Sequence, residues 1–566
     1  MKKDRSSKPA PPPKREAGRW LGWTLAGAVA IVSYLAYQPA LSGEFVFDDR
    51  YLPFLAPGAA DWPLSSWIGR IRPVLMLSFW SQLHLLGLEP FSYHIANFAL
   101  HLVNSAQVFF IVRQLLSRAS EGDSRNSLLA GFAAALFLLH PLQTESVSYV
   151  ASRSEALSAT FFLGAFAVFL LRRSDAISFP AAGLALTLFG AAVLTKEHTA
   201  VLPALLLLTD YYWNPGFSFA GIRKNWRLYA PLLLLSALGL AFVWQVLRTS
   251  NTAGFRVPGL AWYEYLFTQG RVVWTYIRLY VLPFGQNIDP DVPLSHGLFD
   301  HGAAIGLAGL VAIAVAAWTL RKREPLASFG VFVFLLLLAP TSSVIPIRDP
   351  LAERRMYLPI LGLILVTLAI LRRWRSSHAS IAGLLGVVLA LAAVTTHQRN
   401  LVWAAPIPLW ADTAAKSPLK VRPRFQLASA YYEAGRCADA VREFEAASKL
   451  SKPGYELLVD WAHALDCDGQ YEAAVERLKS AALIEHTAHV YALLGMVHGK
   501  RGNREAALEA LARAEAIDKN YDMTYAYRGN LYFMAKELDG AAREFRRALS
   551  LNPSNPVAAQ GLRALR

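Results

Sequence analysis

Hydrophobic positions in this chain fall in long, nearly unbroken runs. Such runs occupy 21–41, 94–113, 127–142, 156–171, 178–195, 198–213, 228–247, 301–320, 326–341, 357–371 and 380–397. Each approaches the ~20 apolar residues that a helix needs to cross a bilayer, and several are short. The pattern predicts an all-α, polytopic transmembrane helical bundle of about eleven spans over residues 21–400. The polar intervals 42–93 and 248–300 become its large external loops. Val272 to Phe284 is amphipathic and contains Arg278, so it is expected to lie in the interface or to re-enter. The first run, Leu21 to Leu41, lacks a small-residue cleavage site and reads as a retained helix. Residues 1–20 are basic and proline-rich, and are expected to be a disordered cytoplasmic N-terminus.

Past a linker at 401–422 the pattern changes. From Pro423 to the C-terminus the chain is rich in Ala, Glu and Arg, and it repeats. Gly495 and Gly529 are 34 residues apart, as are Ala507 and Ala541, and Leu511 and Phe545. Tyr525, Gly529, Tyr532, Ala541, Phe545, Ala548 and Pro553 fit the tetratricopeptide (TPR) pattern, and about four units are visible over 423–566. This predicts a C-terminal α-solenoid whose concave surface is suited to a peptide or protein partner.

Charge then changes the picture. The chain has 566 residues, 54% of them apolar and 17% charged, with a formal net charge of +15. Basic residues cluster between alternate apolar runs: Arg113, Arg118 and Arg125; Arg172 and Arg173; Arg223, Lys224 and Arg227; Arg321, Lys322 and Arg323; Arg372, Arg373 and Arg375. With eleven spans these fall on one side, together with the N-terminus, and that side is cytoplasmic by the positive-inside rule. The positive charge is then a topology signal, and nucleic-acid binding is excluded as its explanation. The TPR array falls on the opposite, extracytoplasmic side. Two cysteines, Cys437 and Cys467, are too few for a disulfide framework or a four-cysteine zinc site. A disulfide is open to them on an oxidising face, but two unpaired buried thiols are the expectation. No Walker A loop, GxSxG elbow, HExxH or CxxC occurs.

The outer ends hold ionisable residues near the hydrocarbon boundary, where charge is costly. Asp48 and Asp49 follow the first run directly; they could serve as a general base and its tuning partner or metal contact, or be plain loop acids. His94, Asn97, His101 and Asn104 share one helical arc, which fits interhelical hydrogen bonding, with His94 nearest the outer end as the functional candidate. Glu145, Arg153 and Glu155 flank one short turn, where they could contact a sugar or phosphate or simply pair. Lys196 and Glu197 sit in a tight turn between apolar runs, placing an ammonium where it could meet a lipid-linked phosphate. Arg348, Asp349, Glu353, Arg354, Arg355 and Tyr357 form a charged late loop, and arginine forks suit phosphate oxygens.

The segments FVFDDR, Arg72-Pro73, YHIANFALHLVN, FLLHPLQTESVSYVASRSEALSATFFLGAF, LTKEHTAVLP, ERRMYLPILG and HQRNLVW, followed by the repeats, span nearly the whole chain. Together they resemble the transmembrane and tetratricopeptide-repeat-containing O-mannosyltransferases, in particular their bacterial relatives. The resemblance implies a GT-C-type bundle in a bacterial inner membrane. It implies an inverting transfer of mannose or a similar hexose from a polyprenyl-phosphate donor to a protein hydroxyl brought by the repeats. Asp48 or Asp49 would be the base, with its partner tuning it or holding a divalent metal, and Asp48 is favoured because the superfamily's base is often the first acid of its pair. Lys196, Arg354, Arg72 and Arg153 become donor-phosphate ligands by the same resemblance. The repeat array is shorter than in the animal members, so acceptor choice is expected to differ. Two rival readings are an O-antigen ligase or polymerase-like enzyme and a non-catalytic membrane scaffold that displays TPR units.

Overall fold

The computed structural model describes residues 14–119, 123, 125–173, 176–250, 252–374 and 377–565. These residues are almost entirely helical, and their β pairing is limited to an isolated bridge between Ala253 and Ile347. The chain divides into two compact units, Met1–Leu409 and Trp410–Arg566.

Every predicted apolar run of the first unit contains a helix. Lengths differ from expectation. Among the described residues, six helices are long and apolar enough to cross a membrane: Gly22–Leu41, Pro90–Ala119, Val150–Arg172, Trp226–Thr249, Asp300–Leu320 and His378–Trp403. A seventh span arises if Asn126–Leu139 and Pro141–Ser148, bent by 50°, are counted together. The count of eleven is therefore not confirmed among the described residues. The 12-residue helix Leu202–Trp213 and the 14-residue helices Pro325–Leu338 and Ile360–Arg373 rise only about 18–21 Å, short of a ~30 Å hydrocarbon core. Apolar composition reveals a buried or lipid-facing helix, but its ends are set by local breakers. Pro73 and Pro325 open their helices, and Gly87, at φ +71°, closes the Pro73–Leu86 helix.

The structure adds detail at two boundaries. The first helix begins at Lys14, so residues 14–20, expected to be disordered, are helical, while residues 1–13 lie outside the described residues. The expected linker 401–422 is largely helical, because one helix continues to Trp403 and another covers Pro406–Lys416.

Small residues allow close packing in the bundle. A Cβ on Gly362 would lie 2.5 Å from the Gly330 carbonyl oxygen, so the Pro325–Leu338 and Ile360–Arg373 helices approach at backbone contact. The polar stripe on the Pro90–Ala119 helix also serves packing. Asn97 donates to the Val147 and Tyr149 carbonyls, Asn104 donates to Ala156 O at 2.8 Å, and His101 and Asn104 both bond the Tyr357 hydroxyl at 2.9 Å.

The second unit contains four helical hairpins: Val421–Glu433 with Cys437–Leu450, Tyr455–Cys467 with Tyr471–Ile484, Ala488–Lys500 with Arg504–Ile517, and Asp522–Met534 with Leu538–Leu551. Helix Pro556–Ala564 follows. Ala440, Ala474, Ala507 and Ala541 are fully buried at equivalent positions. Gly435, Gly469 and Gly502 turn the chain at positive φ, and Lys536 takes the same conformation in the fourth unit. Cys437 and Cys467 are joined in a disulfide with Cα atoms 5.7 Å apart, which corrects the expectation of unpaired thiols. Stacking of successive hairpins brings the two positions within bridging range, and a sequence separation of 30 does not show this.

Candidate functional site

After Leu41 the chain forms a short turn, Phe47–Tyr51, that holds both acids of the first loop. Phe47 sits at φ +52° and stacks on Tyr149 at 6.1 Å. The turn directs the two carboxylates differently. Asp49 is fully buried; its Oδ2 accepts the Val46 N–H at 3.1 Å and its Oδ1 accepts the Ala151 N–H at 2.6 Å. Burial pushes its carboxyl up to about 8 despite these donors. Asp48 is exposed. Its backbone N–H donates to the Tyr149 hydroxyl at 3.0 Å, and its carboxylate lies within electrostatic reach of that hydroxyl. Tyr149 is itself buried and stacks on Trp403 at 5.8 Å, so its hydroxyl is a fixed anchor for Asp48.

Three cations lie within electrostatic reach of one another: Arg72, Lys196 and Arg354. Each is backed by its own carboxylate. Arg72 forms a two-pronged bond to Glu197, both arms at 2.9 Å. Lys196 donates to Glu155 at 2.5 Å and to Ser154 Oγ at 3.2 Å. Arg354 pairs with Glu145, which also accepts the Arg354 backbone N–H at 2.9 Å. In each pair the cation is the more exposed member: 38% against 15%, 16% against 6%, and 26% against 2%. The positive groups are thus presented to solvent more than the acids that pair with them. Burial works against the charge on Arg354, but Glu145 more than offsets it and its pKa is raised. For Lys196, burial together with the neighbouring Arg72 and Arg354 outweighs Glu155, and its pKa is lowered. Arg354 also acts on Tyr149, which links the cation arc to the Asp48 turn.

The remaining sequence candidates lie apart from this arc. Arg153 is buried; it donates to Asn97 Oδ1 at 2.8 Å and to Tyr93 O at 3.1 Å, with its guanidinium over the Phe79 ring at 4.5 Å. His94 is buried beside the backbone at Gly43, Glu44 and Ser148, and stacks on Phe45. Arg355 braces its own loop through the Asp349 and Pro350 carbonyls at 2.6 and 2.8 Å. Two further residues are prominent here: Tyr149, not singled out from sequence, and Glu353, which the sequence placed in the charged late loop. Tyr149 lies within the quoted SVSYVAS segment, and its signal was adjacency to the charged turn. Glu353 is buried, accepts from Gln286 Nε2 at 2.8 Å and Asn287 N–H at 2.6 Å, and is pushed up to about 7 by burial.

A divalent metal on Asp48 and Asp49 fits poorly. Both Asp49 oxygens are engaged by backbone N–H groups, and among the described residues no group of three or more His, Cys, Asp or Glu is arranged to hold a metal.

The two raised carboxyls make stability pH-dependent. The folded state holds their protons more tightly than the unfolded chain does, so this contribution is complete below the ordinary carboxyl range. It is lost as pH rises through about 7 for Glu353 and about 8 for Asp49. The melting temperature of the purified protein is expected to fall as pH is raised through that window, with a shallower fall in Asp49→Asn. An unchanged slope in the variant would contradict the burial of an ionisable Asp49.

Comparison with known proteins places this geometry in context. A tetratricopeptide repeat model matches residues 523–555. The Caenorhabditis elegans protein O-mannosyl-transferase F38B6.6 is 22% identical over 478 residues, covering 78% of this chain and 65% of that protein. Human protein O-mannosyl-transferase TMTC3 is 36% identical over 149 residues, covering 26% of this chain and 15% of that protein. The curated relatives of this chain are TMTC-type protein O-mannosyl-transferases. The chain spans less than two thirds of the length of these TMTC-type relatives. Among solved structures, the TPR protein YrrB is 17% identical, covering 32% of this chain and 89% of that one, at a TM-score of 0.24, too low to support inference.

Proposed function

We propose that this chain is an integral-membrane glycosyltransferase that moves a hexose from a polyprenyl-phosphate donor to a protein hydroxyl, with inversion. The observation that carries this reading is the arc of Arg72, Lys196 and Arg354, more exposed than its carboxylates and linked through Tyr149 to the exposed Asp48. In the reaction, the acceptor oxygen attacks the anomeric carbon and the bond from that carbon to the phosphate oxygen breaks. Polyprenyl phosphate leaves with the electron pair, and the acceptor proton passes to Asp48. The cations stabilise the charge that grows on the leaving phosphate. Tyr149 anchors the backbone of Asp48, and Asp49 holds the turn.

The reading places the site and the TPR array on the extracytoplasmic face of a bacterial inner membrane. The Cys437–Cys467 disulfide supports an oxidising surrounding for the array. The names of the relatives support mannose as the first sugar to test. The test is transfer by the purified full chain to a serine- and threonine-bearing peptide. Polyprenyl-phosphate mannose is expected to serve as donor and a nucleotide sugar is not. Transfer from the nucleotide sugar, or only from a lipid-linked oligosaccharide, would overturn the proposal.

A further inference from the structure

At the opposite end of the bundle the basic helix ends surround a pocket of about 510 Å³. Its charged lining is Asp123, Arg125, Arg323, Glu324, Arg372 and Arg373, four guanidinium groups against two carboxylates. The pocket lies at the Ala119 end of the Pro90–Ala119 helix, whereas the Asp48 turn packs near its Tyr93 and His94 end. Thirty residues at 1.5 Å each separate the two ends by about 45 Å. The pocket is therefore distinct from the proposed catalytic site.

The four arginines are not equivalent. Arg125 clamps Asp123 at 3.1 Å and donates to the Trp374 and Arg372 carbonyls at 3.1 and 3.3 Å, which ties two helix ends together. Arg373 pairs with Glu324. Among the described residues, Arg323 and Arg372 form no ion pair, and the Arg372 Nε is buried without a hydrogen-bond partner. The lining thus carries an excess of two positive charges, with Arg323 and Arg372 outside its ion pairs. Beside them Ile370 and Trp374 are exposed, an apolar side chain and an aromatic one at the depth where a helix end meets the bilayer surface.

We infer that this pocket binds the phosphodiester headgroup of an anionic membrane phospholipid, with Arg323 and Arg372 as its ligands. A guanidinium fork matches phosphate oxygens, and basic pockets between helix ends at the membrane surface suit anionic headgroups. The neighbouring exposed apolar surface favours a lipid over free phosphate, because it offers a course for the acyl chain. Bound there, the lipid would bridge the ends of the Pro90–Ala119, Pro325–Leu338 and Ile360–Arg373 helices and stabilise the bundle by mass action.

The test uses the purified full chain in a zwitterionic detergent, with thermal unfolding read against added phosphatidylglycerol, phosphatidylcholine or inorganic phosphate. Phosphatidylglycerol is expected to raise the melting temperature with saturation, while the other two do not. Arg323 is exposed and its side chain forms no hydrogen bond or ion pair among the described residues, so Arg323→Gln should fold normally. It is expected to weaken the apparent affinity about fivefold, the contribution of one basic residue near a charged lipid surface. Arg323→Gln with Arg372→Gln is expected to weaken it about thirtyfold. An equal shift with phosphatidylcholine, an equal shift with inorganic phosphate, or unchanged phosphatidylglycerol affinity in Arg323→Gln would each overturn the proposal. Should the double variant fail to fold, the single variant decides alone.

Discussion

Asp48→Asn is expected to lower the turnover of sugar transfer by 10²–10⁴-fold, the usual range for loss of a positioned general base, with folding and melting temperature unchanged. The physical reason is the division of labour inside the Phe47–Tyr51 turn. Asp48 is exposed, its backbone N–H anchored on the Tyr149 hydroxyl, and its carboxylate can accept a proton from solvent-side chemistry. Asp49 is buried against the Val46 and Ala151 N–H groups, so it cannot reach an acceptor without the turn opening. Asp49→Asn should behave differently. It keeps one acceptor oxygen but turns an NH₂ group toward a backbone N–H, leaving a buried donor unpaired at a cost of about 1–3 kcal/mol. Its defect should appear as a lower melting temperature before it appears as a lower turnover. The checks are turnover with polyprenyl-phosphate donor and thermal unfolding of the same preparations. Full activity in Asp48→Asn would remove the base assignment.

Lys196→Met carries the second large effect. The Glu155 side chain is only 6% exposed, and Lys196 bonds it at 2.5 Å. Removing the ammonium leaves that carboxylate buried without its main partner, a loss of about 3–5 kcal/mol by the usual cost of breaking a buried pair. The same change removes a cation proposed to meet the donor phosphate, worth 10²–10³ in turnover if it acts as a charge-stabilising donor. The two effects separate in the double variant Lys196→Met with Glu155→Gln. Neutralising both partners restores most of the stability, because no uncompensated charge remains. Transfer should stay low. A double variant that folds and transfers at the parental rate would show Lys196 to be a structural ion-pair member only.

Much of the fold was legible because apolar runs and a 34-residue repeat are local signals. Each run from 21–41 to 380–397 contains a helix, and the small residues at Ala440, Ala474, Ala507 and Ala541 sit buried in successive hairpins. Helix length was less legible. Leu202–Trp213 lies within a longer apolar run, yet it is only 12 residues long and follows a short turn, Glu197–Val201. Hydrophobicity cannot distinguish a helix packed inside a bundle from one that crosses lipid alone, since both exclude water. The first helix extends back to Lys14 although its leading residues are polar, because backbone hydrogen bonds propagate from an established helix at little cost.

The candidate site divides the same way. Asp48, Lys196 and Arg354 could be marked from sequence because a charge beside hydrocarbon needs a reason. Arg153 was marked by the same logic, and the structure turns it inward onto Asn97 and the Phe79 ring. Tyr149, a single tyrosine in a polar stretch, carried no charge to mark it.

The sequence by itself determined the helical class, the repeat array and the stock of ionisable groups at the helix ends, since composition and periodicity act between neighbours in the chain. Tertiary structure alone decided which charges meet. Arg72 finds Glu197 across 125 residues, Arg354 finds Glu145 across 209, and Cys437 finds Cys467 across 30. It also decided that Asp49 is buried while Asp48 is presented. Ion pairing and desolvation depend on distance and on exclusion of water, and both are properties of the packed chain.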